Sequence, residues 1–185
     1  MASDTRRRMI AGAAVVIGTQ GAAAMSLRDL AREAGVPLGS TYHHFPGGKV
    51  QLVQEAVVAT GRQVSRLLDQ SREQGVDAAL RTFADHWRVL LLRTDFATGC
   101  PVLAVATEAE PALQEVARAV FAEWQQSIAT ALVADGVPAD RAASLGRLVI
   151  ASLEGAVAVS RAERSADPLD EVVAELSALL AAVRR

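Results

Sequence analysis

Residues 27–46, LRDLAREAGVPLGSTYHHFP, leave the backbone few choices. The first eight are good helix formers, and Ser26 just ahead can cap their first turn. Asp29, three residues on, comes close to a capping box. Gly35 stands where a helix ends most cheaply with positive φ. Pro37 then opens a second short helix over about 38–44, and Pro46-Gly47-Gly48 breaks the chain again. Helix, tight turn and short helix describe a helix-turn-helix. Ala31 is small where the two helices must cross, and Leu30, Ala34, Val36, Leu38 and Phe45 supply apolar packing.

The rest of the chain continues in the same class. Apolar residues recur at helical spacing, and no strand-turn-strand pattern competes. Helices are expected over about 4–19, 26–34, 38–44, 48–73, 77–94, 101–109, 111–134, 139–164 and 168–183. Half of the 185 residues are hydrophobic, many of them alanine, so an all-α fold with a sizeable core is within reach. There is no repeat and no low-complexity tract. The expected division is a three-helix domain over 1–47 and a larger helical bundle over 48–185.

Charge divides the chain similarly. Residues 1–50 hold six basic and three acidic side chains; residues 51–185 hold thirteen basic and eighteen acidic. A basic end on an acidic body points to different partners for the two parts. The single cysteine, Cys100, excludes an internal disulfide and a multi-cysteine metal site. The start, MASDTRRRMIAGAAVVIGTQGAAA, imitates a secretory leader. Its apolar run is short and interrupted by Thr19-Gln20-Gly21. It reads better as a helix with Met9, Ala13, Val16 and Ile17 near one face, capped by Ser3 or Asp4 and ended by Gly18 or Gly21. No later segment has enough consecutive apolar residues to suggest a bilayer span. No membrane partner and a cytoplasmic location are the expectations.

Residues 36–49 hold two of the three histidines, the only tyrosine and the only lysine. A metal pair at His43-His44 is a poor reading: adjacent helical positions point about 100° apart, and no carboxylate or cysteine lies at ligand spacing. Pro-Gly-Gly-Lys is too short for a phosphate-binding loop, which needs a preceding strand. No metal and no cofactor is expected. A helix slotted into a DNA major groove does account for the composition. Gly39, Ser40 and Thr41 keep the helix face thin and offer hydroxyls to base edges. Tyr42 and His44 can bond phosphate oxygens, as can Lys49 at the start of the next helix. Arg28 can reach the backbone or a base edge. With Ser26, Leu38 and His43 these residues form the candidate DNA-contacting set. Helix-turn-helix units also serve as plain structural corners. Arg6, Arg7 and Arg8 fit either a DNA-bracing or a solvated end.

SLRDLAREAGVPLGSTYHHFPGGKVQL resembles the DNA-binding domain of TetR-family transcriptional regulators: a helix, Ala-Gly-Val, small residues, Tyr-x-His-Phe and a lysine soon after. The Pro-Leu-Gly-Ser and Pro-Gly-Gly-Lys variants, with GCPVLAVATEA at 99–109, are most similar to the LmrA/YxaF-like branch. The resemblance implies an all-helical homodimer. Three N-terminal helices would bind a palindromic double-stranded DNA operator. The larger domain would bind a small-molecule effector and dimerise through its last two long helices. The family's phosphate contacts would fall on Tyr42, His44 and Lys49, and its recognition helix on Leu38 to His43.

In the acidic remainder the aromatics gather on the fifth and seventh helices and the adjoining loop. Phe83, Trp87, Leu91, Cys100, Leu103, Thr107, Phe121, Trp124 and Gln125 are candidates for a mostly apolar pocket with few polar anchors; ordinary core is the competing reading. The last two helices have wide apolar faces: Leu145, Leu148, Val149, Ser152, Leu153 and Ala156 on one, Leu169, Val172, Val173 and Leu176 on the other. Two copies would make a four-helix interface; packing within one chain would use the same faces. No paired carboxylates, Ser/His/Asp set or cofactor loop supports an enzyme. The favoured function is therefore a ligand-responsive transcriptional regulator, expected to be a repressor that a hydrophobic or aromatic effector releases. The alternative is a helical small-molecule binder or enzyme built on the bundle.

Overall fold

The computed structural model describes residues 2–33, 35–71 and 74–184; the side chains of Ala2, Ser3, Asp29, Glu33 and Ser40 lie outside the described set. Among the described residues the fold is all-α, with nine helices: α1 Ala2–Gln20, α2 Leu27–Glu33, α3 Leu38–His44, α4 Gly48–Ser71, α5 Val76–Arg93, α6 Pro101–Ala106, α7 Pro111–Ala134, α8 Ala139–Glu163 and α9 Asp167–Val183. They form two compact units, Met1–Gly61 with Cys100–Val120, and Arg62–Gly99 with Phe121–Arg185. Helices α4 and α7 contribute residues to both.

In the first unit α1 buries Met9, Ala13 and Ile17 completely, the four-residue spacing of an amphipathic stripe. Gly21, with φ +83°, ends it. Against this stripe lie α2 and α6. Leu30 and Ala31, Phe45, Leu52, Val53, Ala56 and Val57, and Val102 and Val105 complete the core. Each large apolar side chain withdrawn from water contributes about 1.5–3 kcal/mol. Gly61 lets α4 approach α7: a Cβ there would lie 2.8 Å from the Val120 methyls. Arg6 is a brace, ion-paired with Glu55 and set 5.1 Å above the Phe45 ring. Arg7 and Arg8 pair locally with Asp4. Helix α6 stops at Ala106, earlier than the expected 109. Pro111 disfavours helical backbone at the residue before it, and the Thr107 hydroxyl already donates to the Ala104 carbonyl.

In the second unit α5 buries Leu80, Phe83, Ala84, Trp87 and Leu91, a three-and-four spacing that faces α8 and α9. The closest approach is at Gly146 of α8, where a Cβ would lie 2.5 Å from the Gln125 carbonyl oxygen of α7. The end of α9 is clasped by Arg184, which donates to Asp77 at 2.7 Å and Asp135 at 3.0 Å. Asp77 first, then Asp135, holds the guanidinium pKa above its usual value. The loop after α5 places Asp95 and Phe96 at φ +48° and +60°, a region costly for side chains other than glycine. Arg161 donates to the Ala97 carbonyl at 2.8 Å and Arg164 pairs with Asp95 at 2.5 Å, tying that loop to the end of α8.

The expectation of no bilayer-length segment needs one correction. By length and composition α8 is apolar enough to cross a membrane, although half of its apolar window is buried within the protein. Two packed neighbours, α5 and α9, demand a wider apolar face than a surface helix needs.

Candidate nucleic-acid interface

Helix α2 starts as its sequence requires: the Ser26 hydroxyl accepts the Arg28 N–H at 3.2 Å. It ends in a Schellman turn. Gly35, with φ +65°, donates to the Arg32 carbonyl at 3.1 Å, and Val36 donates to the Ala31 carbonyl at 2.9 Å. Ala34 lies outside the described residues. Pro37, at φ −60°, then sets the first turn of α3.

Over its seven residues α3 divides into two faces. Thr41 and Phe45, four apart, are both fully buried. Leu38, Gly39, Tyr42 and His43 are exposed, with Tyr42 at 58 % the most open of the large apolar-bodied side chains. His44 sits half-buried at the margin, edge-on to Phe45. The expected role of Thr41 is corrected by this placement. Its side chain packs as a valine would, and its Oγ1 has no hydrogen-bond partner among the described residues. The Ser40 side chain lies outside the described residues. Arg28 is exposed one helix away. Nothing lies within 4 Å of a Cβ added at Gly39, so the outward face is thin there for reasons other than internal packing.

Lys49 is half-exposed, and its Nζ donates to the Ala23 carbonyl in the α1–α2 turn at 2.9 Å. An ammonium has three N–H groups, so among the described residues two remain for an incoming anion. The sequence reading did not find the other partner of that turn, Glu108, which accepts the Ala23 N–H at 3.3 Å. No local spacing relates residues 85 positions apart.

Residues 9–56 match the sequence model of bacterial regulatory proteins, tetR family, and residues 77–175 that of the LmrA/YxaF-like transcriptional regulator C-terminal domain. The chain is 40 % identical to the uncharacterized HTH-type transcriptional regulator Rv0196 of Mycobacterium tuberculosis, over 96 % of this chain and 94 % of that one. The chain belongs to the TetR family. It is 31 % identical to the HTH-type regulator YxaF of Bacillus subtilis, over 96 % of this chain and 95 % of that one. The fold matches the crystal structure of a TetR transcriptional regulator from Legionella pneumophila with a TM-score of 0.85, at 19 % identity and covering 93 % of this chain and 95 % of that chain. This TetR-family protein is therefore a DNA-binding transcriptional regulator, and its relatives are regulators rather than enzymes.

The regulator's second unit contains an aromatic cluster. Phe83 meets Trp124 edge-on at 5.7 Å, Phe121 does the same at 5.7 Å, and Trp87 lies 6.2 Å from Phe83. Phe83, Trp87, Leu91 and Trp124 are buried, whereas Phe121 and Gln125 are half-buried. The buried Trp87 Nε1 has no acceptor among the described residues. His86 stacks edge-on against Trp87 at 5.1 Å, and burial lowers its pKa. The other pocket candidates fall in the first unit: Cys100 is buried at the start of α6, Leu103 is half-buried and Thr107 is exposed. Two large hollows of the second unit have other linings. One, of about 540 Å³, lies beside Asp77, Asp135 and Arg184; the other, of about 560 Å³, lies beside Leu148, Val172 and Leu179.

The candidate dimer faces are divided by burial. Leu145, Val149, Leu153, Ala156, Leu169 and Leu176 are buried within the chain's own bundle. That placement corrects the outward role expected of them: α8 and α9 use these residues on each other and on α5. Leu148 is 43 % exposed, and Ser152, Val172 and Val173 are half-buried. Leu148, Ser152 and Val172 line the second hollow together with Glu171, Glu175 and Leu179.

Proposed function

We propose that this regulator is a cytoplasmic homodimeric repressor. It binds a palindromic operator through two copies of α3 and is released by a small hydrophobic or aromatic effector. The observation that carries the reading is the division of α3, which turns Leu38, Gly39, Tyr42 and His43 outward while Thr41 and Phe45 anchor it. Residues 1–47 act as the DNA-reading domain and 48–185 as the effector-binding and dimerisation domain. Leu38, Gly39, Ser40 and His43 meet base edges. Tyr42, His44 and Lys49 hold phosphates, with Ser26 and Arg28 at the backbone beside them. Phosphate contacts set register and base contacts set preference.

Dimerisation through Leu148, Ser152, Val172 and Val173 fixes the distance between the two reading helices, so half-sites fall in successive major grooves. The aromatic cluster of the second unit, Phe83, Trp87, Phe121 and Trp124 with Leu91 and Gln125, receives the effector. An effector that fits one conformer better shifts the population toward it, typically by about 1–3 kcal/mol of coupling.

Selection of duplexes from a random-sequence library by the purified full-length protein tests the reading. The expected product is a two-fold symmetric site whose binding weakens with salt and with one or more members of a panel of aromatic and hydrophobic cationic compounds. Enrichment of no sequence, or of a single unsymmetrical site, overturns the dimeric operator reading. Operator binding that no bundle-binding compound changes overturns effector release.

A further inference from the structure

We infer that Glu108 is a positioning residue for DNA binding: through the two polar groups of Ala23 it holds Lys49 in place for a phosphate. The inference rests on the reading of Lys49 as a phosphate contact. Ala23 lies in the short turn between α1 and α2, just after Gly21 ends α1 with positive φ. Its N–H donates to Glu108 Oε1 and its carbonyl accepts from Lys49 Nζ. The turn is thus held at its N–H by a carboxylate and at its carbonyl by the ammonium. Both side chains line one small hollow of about 170 Å³ floored by Ala22, Val53 and Leu113.

The carboxylate side is the rigid one. The backbone N–H of Glu108 donates to Val105 at 3.1 Å, and its carbonyl accepts from the Gln114 side chain at 2.7 Å. Gln54 of α4 donates to the Ala112 carbonyl at 3.3 Å, tying α4 to the start of α7, just beyond the turn that holds Glu108. Glu108 is therefore fixed at its backbone, and Ala23 is fixed by Glu108. Lys49 is a four-carbon stem with many rotamers, held through its hydrogen bond to the Ala23 carbonyl. Without Glu108 the Ala23 carbonyl can turn away, and the ammonium samples solvent instead of one direction. A lysine placed in advance loses less freedom when it binds a phosphate.

The test is a double-substitution cycle on the duplex selected by the full-length wild-type protein. Glu108→Ala is expected to weaken binding about tenfold. It should also make the salt dependence shallower by about one ion per protomer. Lys49→Ala should do the same, and the double variant should bind no worse than Lys49→Ala alone. Glu108→Gln, which keeps an acceptor, should remain within about threefold of wild type. Additive losses in the double variant overturn the inference and leave Lys49 as a phosphate contact. Unchanged binding by Lys49→Ala overturns the phosphate reading itself, and the inference falls with it. If Glu108→Ala melts below the assay temperature, Glu108→Met, which keeps the stem length but no acceptor, takes its place with the same expected outcomes.

Discussion

The outward face of α3 and that of α8 with α9 are both helical surfaces proposed to meet a partner, yet they are made in opposite ways. On α3 two buried side chains, Thr41 and Phe45, fix the helix, and its described outward surface is Leu38, Gly39, Tyr42 and His43. On α8 and α9 the apolar residues are numerous, and most are consumed inside the chain. On α3 the core residues and the proposed DNA-contacting residues are therefore different and face opposite ways. On α8 and α9 the proposed dimer contacts are neighbours of core residues on one apolar face. The difference teaches that neither an apolar helix face nor a short sparse one says which residues are free until burial divides it, and that on the short helix two buried side chains are enough to do so.

The largest effect that could break this contrast lies in the second unit. Trp124 is fully buried and touches both Phe83 and Phe121. If the cluster is load-carrying core, Trp124→Ala should cost about 3–5 kcal/mol in urea unfolding. A loss below about 1 kcal/mol would mean the rings surround space that the fold can close, and would favour a pocket over a core.

Next comes a matched pair on α8. Leu153 is fully buried and Leu148 is 43 % exposed, although both were expected on one dimer face. Leu153→Ala should destabilise by about 2–5 kcal/mol. Leu148→Asp should leave secondary structure intact and shift sedimentation from dimer to monomer. A Leu148→Asp variant that sediments as wild type would remove this face from the proposed interface.

A third pair applies the contrast inside one helix. Tyr42→Ala should leave the melting temperature nearly unchanged, since surface changes stay within about 0.5 kcal/mol. It should weaken operator binding about tenfold. Thr41→Val should do the reverse, raising stability by about 1 kcal/mol because an unpartnered buried hydroxyl is replaced by a methyl. Operator binding should not change. Loss of DNA binding in Thr41→Val with an unchanged melting temperature would restore the hydroxyl to the reading face.

These pairs also mark where the sequence was readable. The helices, the Ser26 cap and the Gly35 turn are local: each depends on residues within four positions, and apart from the start of α1 and the end of α6 each lies where spacing puts it. The facing of α3 is not local. Seven residues are two turns, and apolar spacing over two turns does not fix which side meets the core. The hydroxyls at Ser40 and Thr41 therefore looked equivalent. On α8 the apolar face is broader than one stripe, so the sequence cannot divide it between α9, α5 and a second chain. Glu108 and Ala23 meet through tertiary folding alone. Their hydrogen bond leaves no pattern in either segment.

The smallest expected effect concerns the edge of the aromatic cluster. His86 lies half-buried beside Trp87, and burial disfavours its charged form, holding its pKa below the ordinary value of about 6.5. The unfolded chain then binds a proton more readily than the folded one, so this contribution to stability is complete above pH about 6.5 and falls as the pH drops toward the folded value. Melting temperature should decline between pH 7.5 and 5, and the decline should be smaller in His86→Gln. An equal decline in both proteins would place His86 in water in the folded state, and the cluster's edge would then be open rather than packed.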